Sequence, residues 1–331
     1  MCSYIQPPLC HTDRDEVRRI GFEIEVSGVE LSMIACQINI VYGGRIEEIS
    51  PYEFFVHDTE LGKFRIELDF AYLKNYARKK QKQSGEPPEL EQLASDTLDL
   101  FARNILPFEV VAPPLPVGQL QRLDALVKLL RQHGAKGTRH LPFYAFGVHI
   151  NPELPNTDVG TILDYFRAYL CLHDWLAERE KVSFARSVTP FINSFSNDYI
   201  LKVLASDYQP EQTRFIEDYL RYNPSRNRAL DMLPLLAWLD EKRVRAGLPK
   251  EKINKRPTLH YRLPNSEIDQ PDWRLSSCWN HWIEVERLAA EPRRLESVCS
   301  AYREYLQRYS IFSVDTPPWK EKVTQWLHVP V

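Results

Sequence analysis

Residues 18–29 read RRIGFEIEVSGV, and their alternation constrains the fold more than any other stretch of the chain. Ile20, Phe22, Ile24 and Val26 recur at every second position, the period of a β-strand, whose side chains two apart share a face. Glu23 and Glu25 therefore share the other face. Two carboxylates that close disfavour each other's ionisation unless a cation or an arginine compensates. A solvated strand face would resolve the conflict, and so would a metal site.

The strand pattern recurs. The segments at 18–26, 52–70, 107–112, 144–151 and 256–263 all read as strands of one sheet, and QINIVY (37–42) reads as a further strand ending at Gly43-Gly44. EFFVHD and KFRIELDF are predicted to form a hairpin around TELG. AYLKNYARKKQKQ and LEQLASDTLDLFARNI read as helices parted by SGEPPE. VGQLQRLDALVKLLRQHG reads as one amphipathic helix capped by Gly134. From about residue 157 the chain becomes mainly helical: a long helix capped by Asp158, a helix over RALDMLPLLAWLDEKR kinked at Pro234, and helices through the last sixty residues. The expected architecture is α+β, a curved antiparallel sheet covered by helices with a helical C-terminal half. A single domain over 1–331 is expected, sheet-rich at 14–155 and 256–264 and mainly helical at 156–255 and 265–331.

Composition narrows the function. The chain has 331 residues, 44% of them hydrophobic and 26% charged, as in an ordinary globular protein. Its 42 basic and 45 acidic residues give a formal charge of −3, so no electrostatic reason points to nucleic acid or membrane as partner. No apolar run approaches the roughly 20 residues of a membrane helix, and MCSYIQPPLCHTDRDEVRR lacks the apolar core of a secretory signal. The six cysteines form no C-x-x-C pair and are scattered, so reduced thiols in a cytoplasmic protein are expected. No Gly-rich phosphate-binding loop occurs.

What stands out is charge inside strands: Glu23 and Glu25, Glu67 and Asp69, Glu109, His149, and the trio Arg256, His260 and Arg262. Singly each has an ordinary explanation, a solvated face for the carboxylates and a hydrogen-bonded core position for His149. Together, carboxylates and imidazoles presented by one sheet suit Mg2+ or Mn2+, and arginines beside them suit phosphate oxygens. Metal, arginine and carboxylate are the groups that phosphoryl transfer uses.

The ordered series GFEIE, HDTELGKFRIELD, FEVVAPPL, GVHIN and RLPN, spread over residues 18 to 290, resembles the amidoligases. These belong to the carboxylate–amine ligase superfamily, which shares the glutamine synthetase fold. The resemblance implies a sheet that holds two or three divalent ions between ATP and an acceptor. It implies that Glu23 and Glu25 each give a ligand to one of two ions, that Glu109 completes the first site and that His149 binds the second. Glu67 is favoured over Asp58 and Asp69 for the remaining first-site position. The family's late E-x-R-x-P strand has its nearest match in HYRLPN, so His260 stands where a glutamate is expected and Arg262 stands as the phosphate-binding arginine. Arg186 and Arg228 resemble arginines brought from helical segments to substrate and phosphate, and Arg256 joins Arg228 and Arg262 as a candidate for binding ATP. The implied reaction is ATP-dependent amide or isopeptide formation through an acyl phosphate, on small-molecule, amino-acid or peptide substrates. Two other readings remain open: a different metal-dependent phosphotransfer enzyme or hydrolase, and a non-catalytic metal- or nucleotide-binding protein, which the His260 departure would fit. The oligomeric state is not legible.

Overall fold

The computed structural model describes residues 3–68, 107–138, 146–182, 193–309 and 317–328. Within them nine strands form one antiparallel sheet, namely β1 (Arg19–Val26), β2 (Arg45–Ser50), β3 (Glu53–Thr59), β4 (Gly62–Leu68), β5 (Phe108–Val111), β6 (Leu115–Pro116), β7 (Val148–Pro152), β8 (Leu230–Asp231) and β9 (His260–Tyr261). Their order is β2-β3-β4-β5-β1-β7-β9-β8, with the short β6 paired to the start of β1. The sheet is open, ending at β2 and β8, and β1 lies inside it between β5 and β7.

Strand alternation divides the sheet into two unlike faces. Ile20, Phe22, Ile24 and Val26 point one way with Phe54, Val56, Phe64, Ile66, Phe108, Val110, Val148, Ile150 and Tyr261, and all of them belong to the core. Helices cover this face. Helix α1 (Leu31–Tyr42) stacks Tyr42 on Phe64 of β4, with ring centres 5.5 Å apart. Helix α2 (Asp124–Gln132) follows a 3-10 segment, Val117–Leu123, and ends in a Schellman-type turn in which the Ala135 N–H donates to Leu130 O and Gly134 takes φ +89°. At the β9 end, Tyr261 packs 6.1 Å from Tyr169 of α3 (Val159–Arg179) and 4.9 Å from Trp282 of α8 (Leu275–Ala289).

A buried ion pair fixes α3 and α8 to the sheet. Arg18 and Glu286 are both fully buried, with Arg18 Nη2 2.8 Å from Glu286 Oε1 and Nη1 2.9 Å from Oε2. Tyr165 Oη and Trp282 Nε1 donate to the same carboxylate at 2.8 and 3.0 Å. Arg18 Nε donates to Glu153 O at 2.8 Å. Each charge thus has several partners, as a buried pair requires. The remaining α-helices among the described residues are α4 (Asn197–Val203), α5 (Gln212–Tyr222), α6 (Leu233–Leu239), α7 (Glu241–Gly247), α9 (Pro292–Tyr309) and α10 (Trp319–Lys322). No helix among the described residues is long and apolar enough to cross a membrane.

Several local expectations change. QINIVY is the second half of α1, not a strand: Leu31, Ile34, Ala35, Ile38 and Tyr42 are buried at helical spacing while Ile40 is exposed. The strand there is instead RIEEIS, β2, whose Ile46 and Ile49 are partly exposed at the sheet edge. The helix expected over 228–243 is three elements. Leu230–Asp231 is a strand, and Pro234 lies in the first turn of α6, where its missing N–H is not needed, so it opens a helix rather than kinking one. The amphipathic helix expected over 117–134 divides at Asp124 into its 3-10 and α portions. Only His260–Tyr261 of the segment 256–263 pairs as strand. Asp158 occupies the N-cap of α3, yet its side chain makes no cap hydrogen bond. The EFFVHD/KFRIELDF hairpin is present as β3 and β4. The two helices expected within 71–105 lie outside the described residues, as do Asp69 and Arg186.

Candidate metal centre

The face opposite the core carries the strand charges. Register places Glu23 of β1 directly across from His149 of β7, and Glu25 directly across from Glu109 of β5. Glu67 of β4 lies across from Glu109, and Glu53 across from Glu67, so four carboxylates run over four neighbouring strands. The row is half-buried at β3 and β4 and closes towards β1, β7 and β9, where Glu23, Glu25, His149 and His260 are each less than 10% exposed.

His149 sits among three carboxylates. Its Nδ1 is 3.0 Å from Glu23 Oε2 and 3.5 Å from Glu109 Oε1, and its Nε2 is 3.4 Å from Glu25 Oε1. Burial by itself would lower the imidazole's pKa. The hydrogen bonds from Glu109 and Glu23 and the charge of Glu25 outweigh it and raise the group to about 9. Glu23 shows the converse. Burial would raise its pKa, but the charge of His260, the hydrogen bond from His149 and the charge of Arg256 hold it well below the usual carboxylate range. Asn151 Nδ2 donates to Glu23 Oε1 at 3.0 Å, and Arg256 Nη2 lies 3.3 Å from the same oxygen while donating to Asn151 Oδ1 at 2.7 Å. Glu25 Oε2 accepts the backbone N–H of Gly147 at 2.6 Å.

His260 approaches from β9. Its ring lies edge-on to His149 with centres 5.1 Å apart, and its Nε2 is 3.4 Å from Glu23 Oε2. Behind it, Asp231 of β8 is fully buried and bonded by Arg226 Nε at 3.0 Å. Burial would raise that carboxyl's pKa, but the His260 hydrogen bond and the charges of Arg226, His260 and Arg262 bring it down to about 2.

The structure thus brings Glu23, Glu25, Glu109, His149 and His260 together. Two groups have ligand atoms within 4.8 Å of one another, Glu23/His149/His260 and Glu25/Glu109/His149. Carboxylate oxygens suit Mg2+ and Mn2+ and imidazole nitrogens suit first-row transition metals, so the residues present fit a divalent cation. Glu23 and Glu25 tolerate each other because His149 stands between them, its two ring nitrogens 3.0 and 3.4 Å from their carboxylates. Glu67 lies one strand further out, beside Glu109 and paired with Arg65 Nη2 at 2.9 Å, outside both groups.

The arginines divide. Arg256 touches Glu23. Arg262 donates through Nη1 to Arg226 O at 3.2 Å, and its charge acts on both His149 and Asp231. Arg228 is further removed, its Nε donating to Asn223 Oδ1 at 2.9 Å and its guanidinium lying over the Phe195 ring. Asn151, Asp231 and Arg226 join the site without having been singled out in the sequence. Asn151 was legible, since it follows His149 by two positions on one strand. Asp231 was not, because two residues are too few for alternation to register.

Relatedness agrees with the geometry. No curated protein matches the chain. The sequence model of the family described as "Putative amidoligase enzyme" matches residues 16–284, which includes every described residue of the cluster. That match spans most of the 331 residues and runs from the start of β1 into α8, so the chain belongs to this amidoligase family.

Proposed function

We propose that the protein is an ATP- and divalent-cation-dependent carboxylate–amine ligase of glutamine synthetase-like type, acting on small-molecule, amino-acid or peptide substrates. The observation that carries this reading is the pair of carboxylate–imidazole groups at the sheet centre, flanked by arginines, in a chain of this family. In it Glu25 and Glu109 hold one cation, with Glu67 at its rim, and Glu23, His149 and His260 hold the other. Such cations, when bound, neutralise charge on a phosphate group and draw it to the carboxylate face. Arg256 and Arg262 bind phosphate oxygens, for which a guanidinium offers a planar fork of donors. Arg228 and Arg186 are the arginines proposed to serve substrate and phosphate.

The proposed reaction has two steps. A substrate carboxylate oxygen attacks the γ-phosphorus of ATP, and ADP leaves. The amine nitrogen then attacks the acyl carbon, phosphate leaves, and the amine gives up a proton, so that one ATP is consumed per amide formed. Water competes for the acyl phosphate, and the near-complete burial of Glu23, Glu25 and His149 keeps that face of the reacting groups dry.

The test is a panel of carboxylates and amines assayed for ADP with Mg2+ or Mn2+. ADP and amide appearing in equal amounts, dependent on both substrates and lost in Glu23→Gln, is the expected result. ADP released without amide, at the same rate in Glu23→Gln, would sink the ligase reading.

A further inference from the structure

We propose that Asp231 is a positioning residue of the metal centre. Its carboxylate accepts the Nδ1–H of His260 and leaves the Nε2 lone pair directed at Glu23 as a cation ligand. The proposal rests on the reading of the Glu23/His149/His260 group as a cation site.

Four observations carry it. β8 contains only Leu230 and Asp231, and its pairing with β9 sets Asp231 directly across from His260. Asp231 is fully buried, and its Oδ2 lies 3.5 Å from His260 Nδ1. Both of its oxygens are fixed from elsewhere: Oδ2 accepts from Arg226 Nε at 3.0 Å, and Oδ1 accepts the backbone N–H of Leu233 at 3.1 Å. The carboxylate therefore cannot turn away. Finally, His260 Nε2 is buried and finds no hydrogen-bond partner among the described residues, although Glu23 Oε2 is 3.4 Å away.

The chemistry follows from the donor inventory. An ionised carboxylate only accepts, so the imidazole nitrogen facing it must carry the hydrogen. In neutral imidazole the other nitrogen is then bare and basic. A histidine kept only for packing would spend both nitrogens on hydrogen bonds, because an unpaired buried polar atom is costly. Here one nitrogen is anchored and the other is turned into a cluster of carboxylates. A carboxylate behind a ligating histidine commonly does this work, and its loss typically weakens metal affinity about 10- to 100-fold. Arg226 completes the relay, since its guanidinium pairs with the buried Asp231 carboxylate at 3.0 Å and holds it in place.

Two measurements on the full chain test this. The first is the ring-nitrogen NMR spectrum of the cation-free wild type, with His260 identified by comparison with His260→Gln. A proton on Nδ1 is expected, and a bare Nδ1 overturns the proposal without any need for the Asp231 variant to fold. The second is calorimetric titration with Mn2+ alone, on wild type, Asp231→Asn and Glu23→Gln, each checked by circular dichroism. Binding by wild type, about 10- to 100-fold weaker in folded Asp231→Asn, supports the role. Binding by wild type and loss in Glu23→Gln, with folded Asp231→Asn equal to wild type, overturns the role and leaves the cation site standing. No binding by wild type, or equal binding in Glu23→Gln, overturns the cation site and the proposal with it.

Discussion

At the scale of single residues, two buried charge clusters do different work. His149 offsets Glu23, Glu25 and Glu109, and without it three carboxylates face one another in a nearly dry pocket. Removing one partner from such a buried set costs about 3–5 kcal/mol. His149→Gln is therefore expected to lose about that much stability in chelator, and chemical denaturation measures it. An unchanged midpoint would mean that the carboxylates are better solvated than their burial suggests. Arg18 and Glu286 form the other cluster, remote from the cation ligands and saturated with hydrogen bonds. Glu286→Gln should cost a similar about 3–5 kcal/mol while leaving Mn2+ affinity within about twofold of wild type. The sequence hides this second pair, because its members lie 268 positions apart. It exposes the first, because E-x-E and the lone strand histidine occupy the alternate positions of strands whose other face is apolar.

At the scale of elements, β1 separates the two jobs by alternation alone. Phe22 is fully buried on the core face, and Phe→Ala there should cost about 3–5 kcal/mol by leaving a cavity. Glu25→Gln on the other face keeps the side-chain volume and should move Mn2+ binding far more than the unfolding midpoint. Denaturation and calorimetry on both variants check this, and a Phe22→Ala protein with full stability would contradict the assignment of faces. The longer strands were legible because several alternations accumulate in each, as in the β3–β4 hairpin. β8 and β9 were misread or overextended because pairing across the sheet, rather than local pattern, makes two-residue strands. QINIVY failed for a related reason. Its six residues fit a period of two, and only the buried positions upstream from Leu31 reveal the helix. Pro234 was a start signal mistaken for a kink, since the same residue serves both according to its position in the helix.

At the scale of the whole molecule, one open antiparallel sheet presents apolar residues to its helices and charged residues to the opposite side. The candidate cation ligands come from β1, β5, β7 and β9, so only a fragment that runs from Glu23 to His260 or beyond contains the centre. Sequence order alone could nominate these residues; only strand order, with β1 between β5 and β7, makes them neighbours. The formal charge of −3 says little about this, because the local arrangement of carboxylates, imidazoles and guanidinium groups sets the field at the site. The most direct test is a calorimetric titration of the wild type and of a folded Glu23→Gln/Glu25→Gln double variant, first with Mn2+ and then with ATP in the presence of Mn2+. Saturable Mn2+ binding by the wild type, ATP binding that depends on the metal, and loss of both in the double variant are predicted. A wild type that binds neither, or a double variant that binds both as well as the wild type does, would reduce the two carboxylates to a polar strand face and contradict the assignment of a metal-dependent ligase.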